Sequence, residues 1–162
     1  MKTTTGLRAL SPLALALLLT TSAFAAAAPD QVVWPAPKDV PERVRAAGLE
    51  MLDAEAMDMH IHTMLRVYSD GHPVTVPADL GIDRSGPKPR YSPLHTHDTS
   101  GTLHVESERW QDFTLGQLLI EWGVRDRVRE DNCHADVAGR RLPGDPSRIV
   151  LRDGETITLR CR

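Results

Sequence analysis

Cysteine is nearly absent from this sequence: Cys133 and Cys161 stand alone among 162 residues, and no Cys-x-x-Cys occurs. That removes the chemistry of a thioredoxin-type redox role, and in an oxidising compartment the pair reads as a structural disulfide. Lysine is scarce too, and the 19 Lys and Arg are outnumbered by 22 Asp and Glu. Aromatics make up 4% of the chain. No basic stripe interleaved with aromatics exists, so nucleic acid is not an expected partner. No Gly-x-Ser-x-Gly elbow, phosphate loop or His-Glu-x-x-His helix is present, which leaves the commonest hydrolase and nucleotide chemistries without their motifs. Asp98-Thr99-Ser100 follow His97 directly, a consecutive run that reads as turn chemistry and not as a catalytic triad.

Long apolar runs are also missing, apart from one at the N-terminus. Lys2 and Arg8 flank a short apolar stretch around Leu13 to Leu19, followed by the small-x-small pattern Ala23-Phe24-Ala25. This predicts a secretory signal over residues 1–25, with cleavage after Ala25 or, as the alternative, Ala28. The stretch is too short to cross a bilayer core of about 30 Å at about 1.5 Å per residue. No cysteine follows it to carry a lipid. The expected product is periplasmic or secreted, without a membrane span. Loss of Lys2 and Arg8 takes its formal charge from −3 to −5.

About 137 residues then remain, enough for one domain and an arm. Residues 26–56 carry Pro29, Pro35, Pro37 and Pro41 with little periodicity, and read as an extended arm with a short helix near Ala47 as the one structured option. Residues 57–162 form the expected domain. His60 to Ser69 alternates, Asp70-Gly71 supplies a turn, and His72 to Pro77 runs back. Asp-Gly between alternating segments is a two-residue hairpin signal, because both central positions need positive φ. That turn sets Val67 opposite Val74, Leu65 opposite Val76 and His62 opposite Asp79. The period of two sends Ile61, Leu65 and Val67 to one face and His60, His62 and Met64 to the other. A second hairpin is expected within about 91–107, with Asp98 to Gly101 as its loop and His95 opposite His104. His97 joins them on the same face, provided the register does not slip by one.

A helix follows. Thr114 and Gln117 fit a capping box, and Phe113 and Leu118 fit a hydrophobic staple. Leu115, Leu118, Leu119 and Trp122 form a core-facing stripe, and Gly123 stops the helix. Cys133 to Val137 and Thr156 to Cys161 read as two more strands. Paired antiparallel, they bring the cysteines to disulfide distance. The order hairpin, helix, strand, strand is that of an α+β, β-grasp (ubiquitin-like) fold. Its mixed sheet carries one helix on one face, and here the His-bearing hairpin is an insertion that folds over His60 and His62.

What the chain does have is histidine, seven in all. Imidazole is a common ligand for zinc and copper, and alternate strand positions aim two rings to one side. Two His-x-His pairs and His104 thus nominate His60, His62, His95, His97 and His104 as metal ligands. Glu106, Asp98 and Asp79 are candidate auxiliary carboxylates. Met57, Met59 and Met64 flank the first pair. Their thioethers favour Cu(I) and tilt the expectation to copper over zinc. Glu106 stands nine positions after His97, too far for the cupin pattern. His72 and His134 read as ordinary turn and surface histidines.

Several of these segments resemble one functionally uncharacterised family of small exported or membrane-tethered bacterial and archaeal proteins. The resemblance rests on His60-Ile61-His62, Val74-Thr75-Val76-Pro77-Ala78, Pro93-Leu94-His95-Thr96-His97-Asp98, Gly101, His104-Val105-Glu106-Ser107, Phe113-Thr114-Leu115-Gly116-Gln117 and Trp122-Gly123. It spans roughly residues 60–161 and implies a shared site without naming its task. Ala138-Gly139 replaces the family's usual Asn-Gly turn, and Arg160-Cys161-Arg162 its usual aromatic-Gly ending. With no terminal Gly-Gly, sulfur-carrier or modifier chemistry is not expected. The leading expectation is a non-enzymatic protein binding copper or zinc. The alternatives are a zinc hydrolase or hydratase with three histidines and an open water position, and an interaction domain whose histidines only hydrogen-bond. No protein partner is indicated.

Overall fold

The computed structural model describes Met1 and residues 33–162, so the expected signal segment and its cleavage points lie outside the described residues. The elements, in chain order, are α1 (Val40–Ala46), β1 (Met59–Ser69), β2 (His72–Val74), β3 (Ile82–Asp83), β4 (Arg90–Tyr91), β5 (Leu94–His95), β6 (Thr102–Ser107), α2 (Leu115–Trp122), β7 (Cys133–Val137), β8 (Arg140–Leu142) and β9 (Thr156–Cys161). The result is α+β. A mixed seven-stranded sheet runs β5-β6-β1-β9-β7-β8, with β2 added on β1, and β3 and β4 pair separately. Among the described residues no helix is long and apolar enough to cross a membrane.

β1 organises everything else. Its burial alternates as the sequence predicts: Met59, Ile61, Thr63, Leu65 and Val67 face the core, while His60, His62 and Arg66 face out. Asp70 and Gly71 both take positive φ, 50° and 81°, and the hairpin closes with Val67 opposite Val74. Beyond Val74 the expectation fails: β2 stops there, with Pro73 already paired opposite Tyr68, and the place on β1 expected for Val76 is taken by another segment. The Leu65 N–H instead donates to the Gly101 carbonyl at 2.8 Å. From Met64 back to Met59, β1 pairs antiparallel with β6, which sets His62 opposite His104 and not Asp79. The second hairpin is therefore not folded over the sheet. It is part of it, following β2 along one edge of β1, while β9 runs parallel to β1 on the other.

α2 closes the apolar face as its punctuation predicts. The Gln117 N–H donates to Thr114 Oγ1, the Thr114 N–H donates to Gln117 Oε1, and Gly123 adopts φ 79°. Phe113, Leu115, Leu118, Leu119 and Trp122 are buried against Leu65, Ile157 and Leu159. The arm is less free than its composition suggests. Trp34 packs on Trp122 with ring centroids 5.6 Å apart, the Trp122 indole N–H donates to the Trp34 carbonyl, and Val44 of α1 is fully buried. At the far edge Cys133 and Cys161 are direct cross-strand partners and form the disulfide. Such a bond persists in compartments more oxidising than the cytoplasm.

Candidate metal centre

The site lies on the outward face of three adjacent strands. His62 of β1, His104 of β6 and His95 of β5 form one row across the ladder, since His104 is the cross-strand partner of both others. His60 and Glu106 form the next row. His97, two residues after His95, keeps the same side. Directly opposed side chains start about 4.5–5.5 Å apart at Cβ, so the sheet itself gathers the rings.

Their nitrogens come much closer. His60 Nε2 lies 3.1 Å from His62 Nε2, which lies 3.1 Å from His104 Nδ1. Glu106 Oε1 lies 3.3 Å from His60 Nε2 and 3.5 Å from His104 Nδ1, closing a ring of four donors. On the other side His95 Nε2 and His97 Nε2 are 3.3 Å apart, and His95 Nε2 is 4.0 Å from Glu106 Oε1. Two donor groups result, His95/His97/His104/Glu106 and His60/His62/His104. An ion bound at about 2.0–2.1 Å in tetrahedral geometry separates its ligand atoms by about 3.3–3.4 Å. The observed spacings of 3.1–3.5 Å fit that geometry.

Burial grades across the site. His95 and Glu106 are buried, His104 is mostly buried, and His60, His62 and His97 border solvent. Desolvation holds the His95 imidazole down to about 4, against the hydrogen bond to Ser92, and the neighbouring histidines push the same way as burial. Desolvation, then the His97, His62 and His60 charges, takes His104 down to about 4 as well. Both are therefore neutral, ligand-competent rings at pH 7. The tautomer of His95 is fixed: its Nδ1 is 2.9 Å from the Ser92 carbonyl, an acceptor only, so Nδ1 carries the proton and the Nε2 lone pair faces the cluster. Ser92 is itself held by α2, its hydroxyl donating to buried Glu121 at 2.5 Å. Burial pushes the Glu121 carboxyl up to about 8.

Glu106 is the least comfortable group. Desolvation, then the Glu55 charge, raises its carboxyl above the ordinary range. Its Oε2 is buried without a hydrogen-bond partner. The Oε2 of Glu121 shares that state, but Glu121 faces Ser92 and Gly81 on the far side of β5 and not the rings.

The remaining sequence candidates go elsewhere. Asp98 Oδ1 accepts from the Ser100 N–H at 2.8 Å, and these bonds hold its carboxyl low. It caps the β5–β6 turn. Asp79 pairs with Arg84 at 2.9 Å. Met64 packs its sulfur beside Gly101, and Met59 is in the core on the opposite face. One participant was not foreseen. Glu55 Oε1 sits 3.3 Å from His97 Nε2 and 3.9 Å from His95 Nε2. It lies in the stretch that reads as linker, forty positions before His95, and nothing local marks it. Leu52 bridges to Tyr91 in β4 and carries that stretch to the site.

Comparison with known proteins finds no matching family model, no matching curated protein and no matching solved structure.

Proposed function

We propose that this is an exported, non-enzymatic protein that binds a divalent transition-metal ion through His95, His97 and His104, with Glu106, His60 and His62 completing or flanking the set. The observation that carries the reading is the chemistry of the contacts themselves. A ring nitrogen either donates or accepts. His62 Nε2 faces two other ring nitrogens, each at 3.1 Å, and serves only one of them well by hydrogen bonding. Glu106 Oε2 is buried with no partner at all. A hydrogen-bond network of this composition leaves the buried Glu106 oxygen unsatisfied at a cost of about 1–3 kcal/mol. A cation satisfies it and the ring nitrogens together.

Imidazole and carboxylate suit Cu(II) and Zn(II) alike. The preference for copper rested on thioethers. With Met59 in the core and Met64 beside Gly101, the thioether argument for Cu(I) rests on exposed Met57 alone, and we favour neither metal. We take the strand arrangement, with β9 parallel to β1 and α2 across one face, as a β-grasp variant extended by β5 and β6. The disulfide and the N-terminal pattern support a periplasmic or secreted site of action. The solvent border at His60, His62 and His97 keeps a second reading in play, a zinc hydrolase or hydratase with water on the open side.

The test is metal analysis of the protein purified from an oxidising export compartment, beside a His95→Ala/His97→Ala variant. The expected result is bound copper or zinc in the parent and clear loss in the variant. Equal content in both overturns the proposal.

A further inference from the structure

Seven donors converge here, five imidazoles with the carboxylates of Glu55 and Glu106, and one tetrahedral ion takes four. They do not crowd one point. His60 Nε2, His62 Nε2 and His104 Nδ1 make one set with consecutive spacings of 3.1 Å. His95 Nε2, His97 Nε2 and Glu55 Oε1 make a triangle of 3.3, 3.3 and 3.9 Å. Between the two sets stand His104, which belongs to both donor groups, and Glu106. Glu106 Oε1 reaches His60 Nε2 at 3.3 Å and His95 Nε2 at 4.0 Å, while its buried Oε2 has no partner. Glu106 Oε1 thus lies between the two sets and within reach of both, the position a single bridging oxygen takes.

We propose that the site is dinuclear: one divalent ion is held by His60, His62 and His104, a second by His95, His97 and Glu55, with Glu106 bridging them. The inference rests on the metal-binding reading above and adds its stoichiometry and the division of the ligands. Imidazole ligands bring no charge and the two carboxylates balance one divalent ion, so a second ion requires a further anion, hydroxide from the solvent-bordering side, beside Glu106 in the bridge. The two halves also differ in burial: both border solvent, at His60 and His62 on one side and His97 and Glu55 on the other, but the β5 half has fully buried His95 at its base. The two ions are therefore expected to bind with distinct affinities.

The experiment takes the purified full chain, stripped with chelator and dialysed separately against Zn²⁺ and Cu²⁺, with bound metal counted per chain. The parent binds two. His60→Ala/His62→Ala, at exposed positions, binds one, and so does His97→Ala, chosen because its ring borders solvent and its loss spares the core. The Cu²⁺ form of the parent shows an exchange- or dipole-coupled pair by electron paramagnetic resonance, and each variant shows an isolated ion. One ion per parent chain, or two without coupling, overturns the dinuclear proposal while metal binding stands. No ion in the parent overturns both. Circular dichroism matching the parent's shows that a variant's loss is of ligands and not of fold.

Discussion

Replacing Glu106 by glutamine gives opposite effects on stability and on binding, and that sign difference makes it the sharpest prediction. In the ion-free protein the Glu106 carboxyl is 3% exposed, shares its surroundings with Glu55, and leaves Oε2 without a partner. Burial of an unsatisfied polar group is unfavourable by about 1–3 kcal/mol, and more when it is charged. Glutamine keeps the shape, removes the charge, and offers N–H groups to the ring nitrogens beside it. Glu106→Gln is therefore expected to stabilise the ion-free protein by about 1–2 kcal/mol, which raises Tm by roughly 3–6 °C for a domain of this size. The same change removes an anionic ligand and lowers metal affinity at least about tenfold. The linkage fixes a pH signature. The folded carboxyl titrates above its ordinary 4.5, so between the two values the folded state holds more protons than the unfolded one and the parent loses stability as pH rises. The advantage of glutamine is thus present at pH 7 and disappears as pH falls below 4.5. Thermal melts of chelator-treated proteins at pH 7 and pH 4, with metal titrations, measure all three. A less stable glutamine variant with undiminished affinity refutes the reasoning, because Glu106 would then be an ordinary structural acid.

Two further outcomes are expected. Acidification of the ion-free protein from pH 6.5 to pH 4 should remove roughly 3 kcal/mol through His95 alone, because the unfolded ring takes a proton near 6.5 while the folded one waits until about 4; denaturant melts across that window check it, and a flat profile is the contrary result. Gly101→Ala should destabilise the fold by roughly 2 kcal/mol or more and remove the ion assigned to His60, His62 and His104. Its Cβ would fall 2.3 Å from the Leu65 carbonyl at a φ of 86°, prising β6 from β1 and separating His104 from His62; paired melts and metal titrations would show one loss without the other if the register did not depend on this contact.

The sequence was most legible where one element dictates its own geometry. Asp70-Gly71 fixes a turn, Thr114 and Gln117 fix a helix start, and alternation through β1 assigns His60 and His62 to the outer face whatever lies beside it. The His95–His104 pairing was legible for the same reason, since both ends belong to one hairpin. What failed was the choice of neighbour for β1. Val76 and Asp79 looked right because hairpin strands usually extend together, yet β2 ends at Val74 and leaves half an edge open. β6 takes it, with a Gly101 carbonyl as the joint. Glu55 was illegible for a different reason. Its place depends on the Leu52–Tyr91 bridge and on Trp34 anchoring the arm, contacts between stretches with no pattern of their own.

With β6 and not β2 beside β1, the histidine cluster is held by the backbone ladder and not by side chains alone. A hairpin folded over the sheet would have met His60 and His62 through side chains alone, each free to turn away. With β6 in the ladder, backbone hydrogen bonds on both sides hold the row His62, His104, His95 in register, and a slip of one residue would bury the rings and expose Ile61 and Val105. The β1 row is pinned further where the His62 N–H donates to Asp153 Oδ1 and its carbonyl accepts from the Gly154 N–H. A cluster so held would need no rearrangement to take the ion proposed above, so its ordering entropy is met in folding and not in binding. That organisation has a cost in the ion-free state, borne by Glu106, His95 and His104. A cation bound as proposed would relieve that cost at Glu106, whereas Glu121, equally buried but turned away from the rings, would be left as it is.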